Sequence, residues 1–144
     1  MCIDPNKYDL RDFLKIGKLN HRKTFYAYKI LNIKRNNDNF RLTSLVYDYT
    51  WKPGINIARM SKGREISKKY RYIYKINNSG IHVYLNKGDA IKYLNRGTCF
   101  VVKVLCRYED VLAVENNYIK NQAVLTKVIL TKKEYNRILN RYEK

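Results

Sequence analysis

The feature that most constrains the fold is a series of short runs rich in Tyr, Ile and Val, cut at close intervals by turn clusters. The clusters are Asn36-Asn37-Asp38-Asn39, Lys52-Pro53-Gly54-Ile55 and Asn77-Asn78-Ser79-Gly80. Aromatic and β-branched residues suit a pleated, half-buried surface, and Asn, Asp, Gly and Pro break it. A chain punctuated in this way builds a sheet from antiparallel neighbours, with little room for long helices. Strands are expected at Phe25 to Ile33, Phe40 to Tyr49, Ile55 to Met60, Tyr70 to Ile76, Ile81 to Leu85, Thr98 to Arg107, Asp110 to Glu115 and Ala123 to Leu130. The pairs 70–76 with 81–85 and 98–107 with 110–115 read as hairpins. Pro53 and Gly54 predict a type II turn, in which Gly supplies the positive φ of the third position.

Helices fill the remaining segments. Asp4-Pro5 opens one, with Leu10, Phe13 and Leu14 at helical spacing and Gly17 as its stop. Asn86 caps a second, about Lys87 to Asn95, with Ala90, Ile91 and Leu94 on one side. Thr131-Lys132-Lys133-Glu134 is a capping box, in which hydroxyl and carboxylate each satisfy the other's backbone N–H. The helix after it turns Tyr135, Ile138, Leu139 and Tyr142 inward. The expected fold is α+β, a mainly antiparallel sheet of about six to eight strands with two or three short helices, in one domain over residues 1–144.

Charge is the second constraint. Thirty Lys and Arg stand against twelve Asp and Glu, a net charge of +18. Such a field attracts polyanions and opposes self-association. The excess is uneven. Residues 1–75 hold 18 basic and 6 acidic side chains, whereas residues 76–119 hold 5 and 4. The densest run is Lys52, Arg59, Lys62, Arg64, Lys68, Lys69, Arg71 and Lys75, opposed only by Glu65. It forms the expected nucleic-acid-binding surface, able to follow a phosphate backbone without reading bases. An AT-rich genome would enrich Lys, Asn, Ile and Tyr without selection for binding, and that reading stands beside the functional one. Strand alternation assigns the tyrosines. Tyr26, Tyr28 and Ile30 share one face and Ala27, Lys29 and Leu31 the other, so a solvated basic face turns the tyrosines into the core.

Little in the chain points to catalysis. No metal site or cofactor is expected, because two histidines and Cys2, Cys99 and Cys106 lack ligand spacing. Cys99 and Cys106 bound an apolar run and read as buried thiols. His82 shares a strand face with Tyr84, and the two are the candidate acid–base residues, beside the plainer reading of a hydrogen-bonded strand histidine. Trp51, before the Pro53-Gly54 turn, reads as a core anchor. No signal peptide is expected, since Met1-Cys2-Ile3-Asp4-Pro5 lacks a basic region before an apolar run, and no apolar run is long enough to cross a membrane as a helix. The three scattered cysteines point to a reducing, intracellular setting.

Tyr28-Lys29, Leu42-Thr43-Ser44, Trp51-Lys52-Pro53-Gly54, Gly80-Ile81-His82-Val83-Tyr84-Leu85, Asp89-Ala90 and Val101-Val102-Lys103-Val104 follow one another in an order that resembles small accessory domains of large DNA viruses and phages. The resemblance spans about residues 26–106. It implies a viral origin and an accessory role, and carries over no catalytic residue. The expected partner is nucleic acid or another polyanion. The alternative is an acidic host or bacterial protein, on which the chain docks as virion component or inhibitor. A third reading is a small nucleotide- or nucleic-acid-processing enzyme using His82.

Overall fold

The computed structural model describes residues 7–36, 39–44, 49–58, 80–94, 97–116 and 121–143. Their order is α1 (Lys7–Leu19), β1 (Thr24–Asn36), β2 (Asn39–Ser44), β3 (Thr50–Trp51), β4 (Gly54–Ile57), β5 (Ile81–Tyr84), α2 (Lys87–Lys92), β6 (Cys99–Arg107), a 3₁₀ turn (Tyr108–Asp110), β7 (Val111–Asn116), β8 (Asn121–Leu125), β9 (Lys127–Leu130) and α3 (Lys132–Glu143). All strand pairs are antiparallel, and together they make a nine-stranded sheet ordered β4-β9-β6-β1-β5-β8-β7, with β2 and then β3 attached to β1. The fold is the expected α+β arrangement, with slightly more strands than anticipated and a helix at its C-terminal end.

The long strand β1 organises the sheet. Thr24 to Asn32 pair with β6, and Leu31 to Asn36 pair with β2. Residues directly opposite in antiparallel strands share a face. One face therefore carries Ala27, Leu31, Ile33, Leu42, Val83, Val102, Val104 and Ala123, all buried in one cluster with Val128, Leu130 and Ile138 of α3. Trp51 belongs to this core, as expected of an anchor, and its indole Nε1 donates to Ser44 Oγ at 2.8 Å. On the other face, α2 covers Ile30, Tyr84 and Val101 through Ala90 and Leu94.

Several local expectations need correction. Gly17 lies within α1, and a Cβ there would come within 2.8 Å of the Tyr108 ring. Its small size admits that ring, which packs with Phe13 and Phe25 at centroid distances of 5.2 and 4.8 Å. The helix ends two residues later, at Leu19, in a Schellman motif. Arg22 N donates to Gly17 O and His21 N to Lys18 O, with His21 at φ 52°. β6 pairs with β1 and β9, and β7 pairs with β8. The 3₁₀ turn at Tyr108–Asp110 carries the chain away from a hairpin between β6 and β7. The expected strand Ala123 to Leu130 breaks at Thr126, whose N–H donates to Asp110 O, leaving β8 and β9 in different parts of the sheet. Ile91 is exposed, because α2 is only six residues long. The strand expected at Tyr70 to Ile76 lies outside the described residues.

Candidate polyanion-binding surface

The Lys52-Pro53-Gly54-Ile55 turn forms as expected, with Gly54 at φ 98°. Asn56 fixes it. Its buried amide donates to Lys52 O at 2.9 Å and Gly54 O at 3.2 Å, and its Oδ1 accepts from Lys52 N at 3.1 Å. The backbone of Lys52 is thus pinned from below while its side chain is exposed. A buried amide bonded on both sides makes a rigid mount for a charge, since each such bond contributes about 1 kcal/mol.

The sheet register places more basic residues beside this mount. Lys34 of β1 lies directly opposite Arg41 of β2. Leu42 of β2 lies opposite Trp51 of β3, and continuing that register by one residue sets Lys52 alongside Arg41. Lys34, Arg41 and Lys52 thus form a row across three strands, about 5 Å from one strand to the next, with all three side chains exposed. Arg35, also exposed, extends over the Phe40 ring with its guanidinium carbon 5.4 Å from the centroid. A row of exposed cations at strand spacing presents a surface across which an extended anion can lie.

Of the residues singled out in the sequence, the row gathers only Lys52. Arg59, Lys62, Arg64, Lys68, Lys69, Arg71 and Lys75 lie outside the described residues. Lys34 and Arg41 escape sequence reading because they are ordinary exposed cations until the β1–β2 register sets them face to face. The Asn36-Asn37-Asp38-Asn39 cluster between two strands was the available signal.

His82 and Tyr84 share a face of β5, as alternation predicts. His82 is half-buried and pairs in register with Val124, and its carbonyl accepts from Lys29 Nζ at 2.9 Å. Tyr84 is buried against Ile30 and Ala90 and stacks on Tyr93 at 5.7 Å. Burial first, then the neighbouring Tyr93 and Asp89, raise its phenol pKa and hold it protonated. Among the described residues, no cluster of three or more His, Cys, Asp or Glu side chains is arranged to hold a metal ion. Cys106 is buried, and burial, with Asp110 adding to it, pushes its thiol up to about 12. Cys99 is half-buried, its Sγ 3.9 Å from Asn32 Oδ1. Cys2 lies outside the described residues.

The expected division of β1 into a basic outer face and a tyrosine inner face does not hold: Lys29 lies on the side of the main core, and on the tyrosine face Tyr26 is exposed while Tyr28 and Ile30 pack under α2. Ala27 and Leu31 are fully buried, Tyr26 is exposed, and the Lys29 amine between them is enclosed although its stem keeps partial exposure. Desolvation lowers the Lys29 pKa to about 8. Lys103 takes the solvent side instead, its Nζ 4.2 Å from the centroid of the Tyr26 ring. Among the described residues, no helix is long and apolar enough to cross a membrane.

No protein-family model, curated protein or solved structure matches the chain.

Proposed function

We propose that this protein is a nucleic-acid-binding accessory module of viral origin that grips the phosphate backbone through Lys34, Arg41 and Lys52. Arg59, Lys62, Arg64, Lys68, Lys69, Arg71 and Lys75, the cations that follow in the sequence, are proposed as further phosphate contacts. The observation that carries the reading is the register of β1, β2 and β3, which lines up three exposed cations, one of them, Lys52, on a turn held by Asn56. Three neighbouring cations match a linear polyanion better than a single small anion, because a strand of nucleic acid repeats its charge along its length. No base-reading element is invoked, since phosphate contacts position a protein without specifying sequence.

The test is the salt dependence of binding to a fluorescent duplex. The logarithm of affinity should fall linearly with the logarithm of salt concentration. The triple variant Lys34→Ala/Arg41→Ala/Lys52→Ala should bind more weakly and flatten the slope by about 2 to 3, roughly one unit for each lost phosphate contact. Absence of binding at low salt, or an unchanged slope in the triple variant, would overturn the proposal.

A further inference from the structure

The sheet carries a second surface of different chemistry, which meets the cationic row only at the Lys52–Ile55 turn. Tyr26 of β1 lies opposite Leu105 of β6, Leu105 opposite Ile129 of β9, and Ile129 opposite Ile55 of β4. One apolar row therefore crosses four adjacent strands on the face turned away from the core, and Ile57 flanks it two residues along β4. The row is open to solvent at both ends: Tyr26 is 55% exposed, Ile55 47% and Ile57 59%. Its middle members, Leu105 and Ile129, are half-buried. Elsewhere this face is covered, where α2 packs over Ile30, Tyr84 and Val101.

The rim of the row is basic. Lys103 lies over the Tyr26 ring. Lys127 pairs in register with Ile57, and Arg107 ends β6, with Glu109 as a 3.7 Å partner. An apolar centre within a cationic rim asks for an occupant with an apolar stripe and acidic flanks. A second copy of this chain is a poor fit, because it brings the same rim and a net charge of +18 to the contact. Nucleic acid fits less well than protein, because the row offers one aromatic ring for stacking among aliphatic side chains. Three inter-strand steps make the row about 14 Å long, close to the length of an α-helix of about 10 residues.

We infer that the Tyr26–Leu105–Ile129–Ile55 row is a docking surface for an acidic amphipathic helix of a partner protein. The apolar side chains of that helix lie along the row, and its carboxylates meet Lys103, Lys127 and Arg107. Tyr26 and Lys34 share β1 but stand eight residues apart, about 26 Å of strand, whereas Lys52 and Ile55 end the same turn, so the two surfaces are separable at Lys34 and Arg41 and adjoin at Lys52.

The experiment uses the full chain and a labelled synthetic peptide with Leu on one helical face and Glu on the other, followed by fluorescence anisotropy. The peptide should bind. Ile55→Ser/Ile57→Ser, which leaves the charge unchanged, should weaken it at least about tenfold, the effect of losing apolar anchors at a small interface. Tyr26→Ser should weaken it in the same direction. Lys34→Ala/Arg41→Ala, which spares the Lys52 that adjoins Ile55, should leave peptide binding within about twofold while lowering nucleic-acid affinity, so the two proposals succeed or fail separately. All the substituted side chains are exposed, and circular dichroism checks that each variant is folded. The inference is overturned if a scrambled peptide of the same composition binds equally well, or if the Ser variants bind unchanged. Sedimentation showing a dimer that Ile55→Ser/Ile57→Ser dissociates would equally overturn it, by assigning the row to self-association.

Discussion

At the scale of single residues, Lys29 shows how position overrides residue type. It sits on the core-facing side of β1, between Ala27 and Leu31 and opposite Val102, with the His82 carbonyl accepting from its amine. That carbonyl offsets only part of the cost of desolvating a charge. Its pKa is about 8 in the folded protein against an ordinary 10.5, so the folded state releases the proton first as pH rises. Below pH 8 both states are protonated and the full cost of the buried charge is present. Between pH 8 and 10.5 the cost is relieved and stability rises with pH. Lys29→Met keeps the length of the side chain and removes the charge. It is expected to be more stable than the parent at pH 7 by about 1–3 kcal/mol, with the difference shrinking towards pH 10. Denaturant midpoints of the two proteins across that range check it, and the comparison cancels the titration of the tyrosines they share.

At the scale of elements, the docking of α3 against β6 illustrates how a strand edge is finished. β9 pairs with β6 at Leu105 and ends at Leu130, so beyond that point the edge of β6 has no strand beside it among the described residues. The helix takes over. Glu134 Oε1 accepts from Lys103 N at 3.1 Å, and Arg137 Nη2 donates to Val101 O at 3.4 Å. The expected capping box is therefore half realised. Thr131 Oγ1 accepts from Glu134 N at 3.2 Å, but the carboxylate turns to the sheet and to Arg137. Burial pushes the Glu134 carboxyl up. The hydrogen bonds from Arg137 and Lys103 N, with the charges of both residues, outweigh that and leave it below the usual range. A lowered carboxyl contributes stability above its unfolded pKa and loses it as pH falls through the folded value. Glu134→Ala should destabilise the protein by about 1–2 kcal/mol at neutral pH, and the difference from the parent should fade on acidification. Thermal melts at pH 7 and at pH 3 measure both effects.

At the scale of the whole molecule, the dominant quantity is the net charge of +18. Like charges spread over a small fold repel, and salt screens them: the Debye length falls from about 30 Å at 0.01 M to about 10 Å at 0.1 M. The melting temperature should therefore rise across that interval by roughly 3–8 °C, corresponding to relief of about 1–2 kcal/mol of repulsion. Calorimetry in sodium chloride tests this. A flat or falling melting temperature would show that the charges are already matched within the fold. Over the same interval nucleic-acid affinity should fall, so salt separates the cost of the charge to stability from its value in binding.

The elements of this fold were largely legible in the chain, because local chemistry marks them. Pro53-Gly54 announced a turn with Gly54 at positive φ, Asn86 announced the start of α2, and the Tyr-, Ile- and Val-rich runs announced strands. The partners of those elements were not legible. Strand pairing depends on which edges meet once Tyr108–Asp110 and Thr126 have redirected the chain, and no short window encodes those encounters. Gly17 shows the same limit, since a glycine that makes room for a distant ring is identical in sequence to one that ends a helix.

The candidate sites divide in the same way. The chain by itself determined an α+β fold, a strong positive charge and Lys52 on a rigid turn. Tertiary structure decided that Lys34 and Arg41 stand beside Lys52, that Tyr26 and Ile55 end one apolar row, and that Lys29 rather than the tyrosines faces the main core. The physical reason is that alternation along a strand separates two faces but does not say which is inside. That choice is made by the area the whole sheet buries. On β1 Ala27, Leu31 and Ile33 join the main buried cluster, and Lys29, on the same face, is carried in with them.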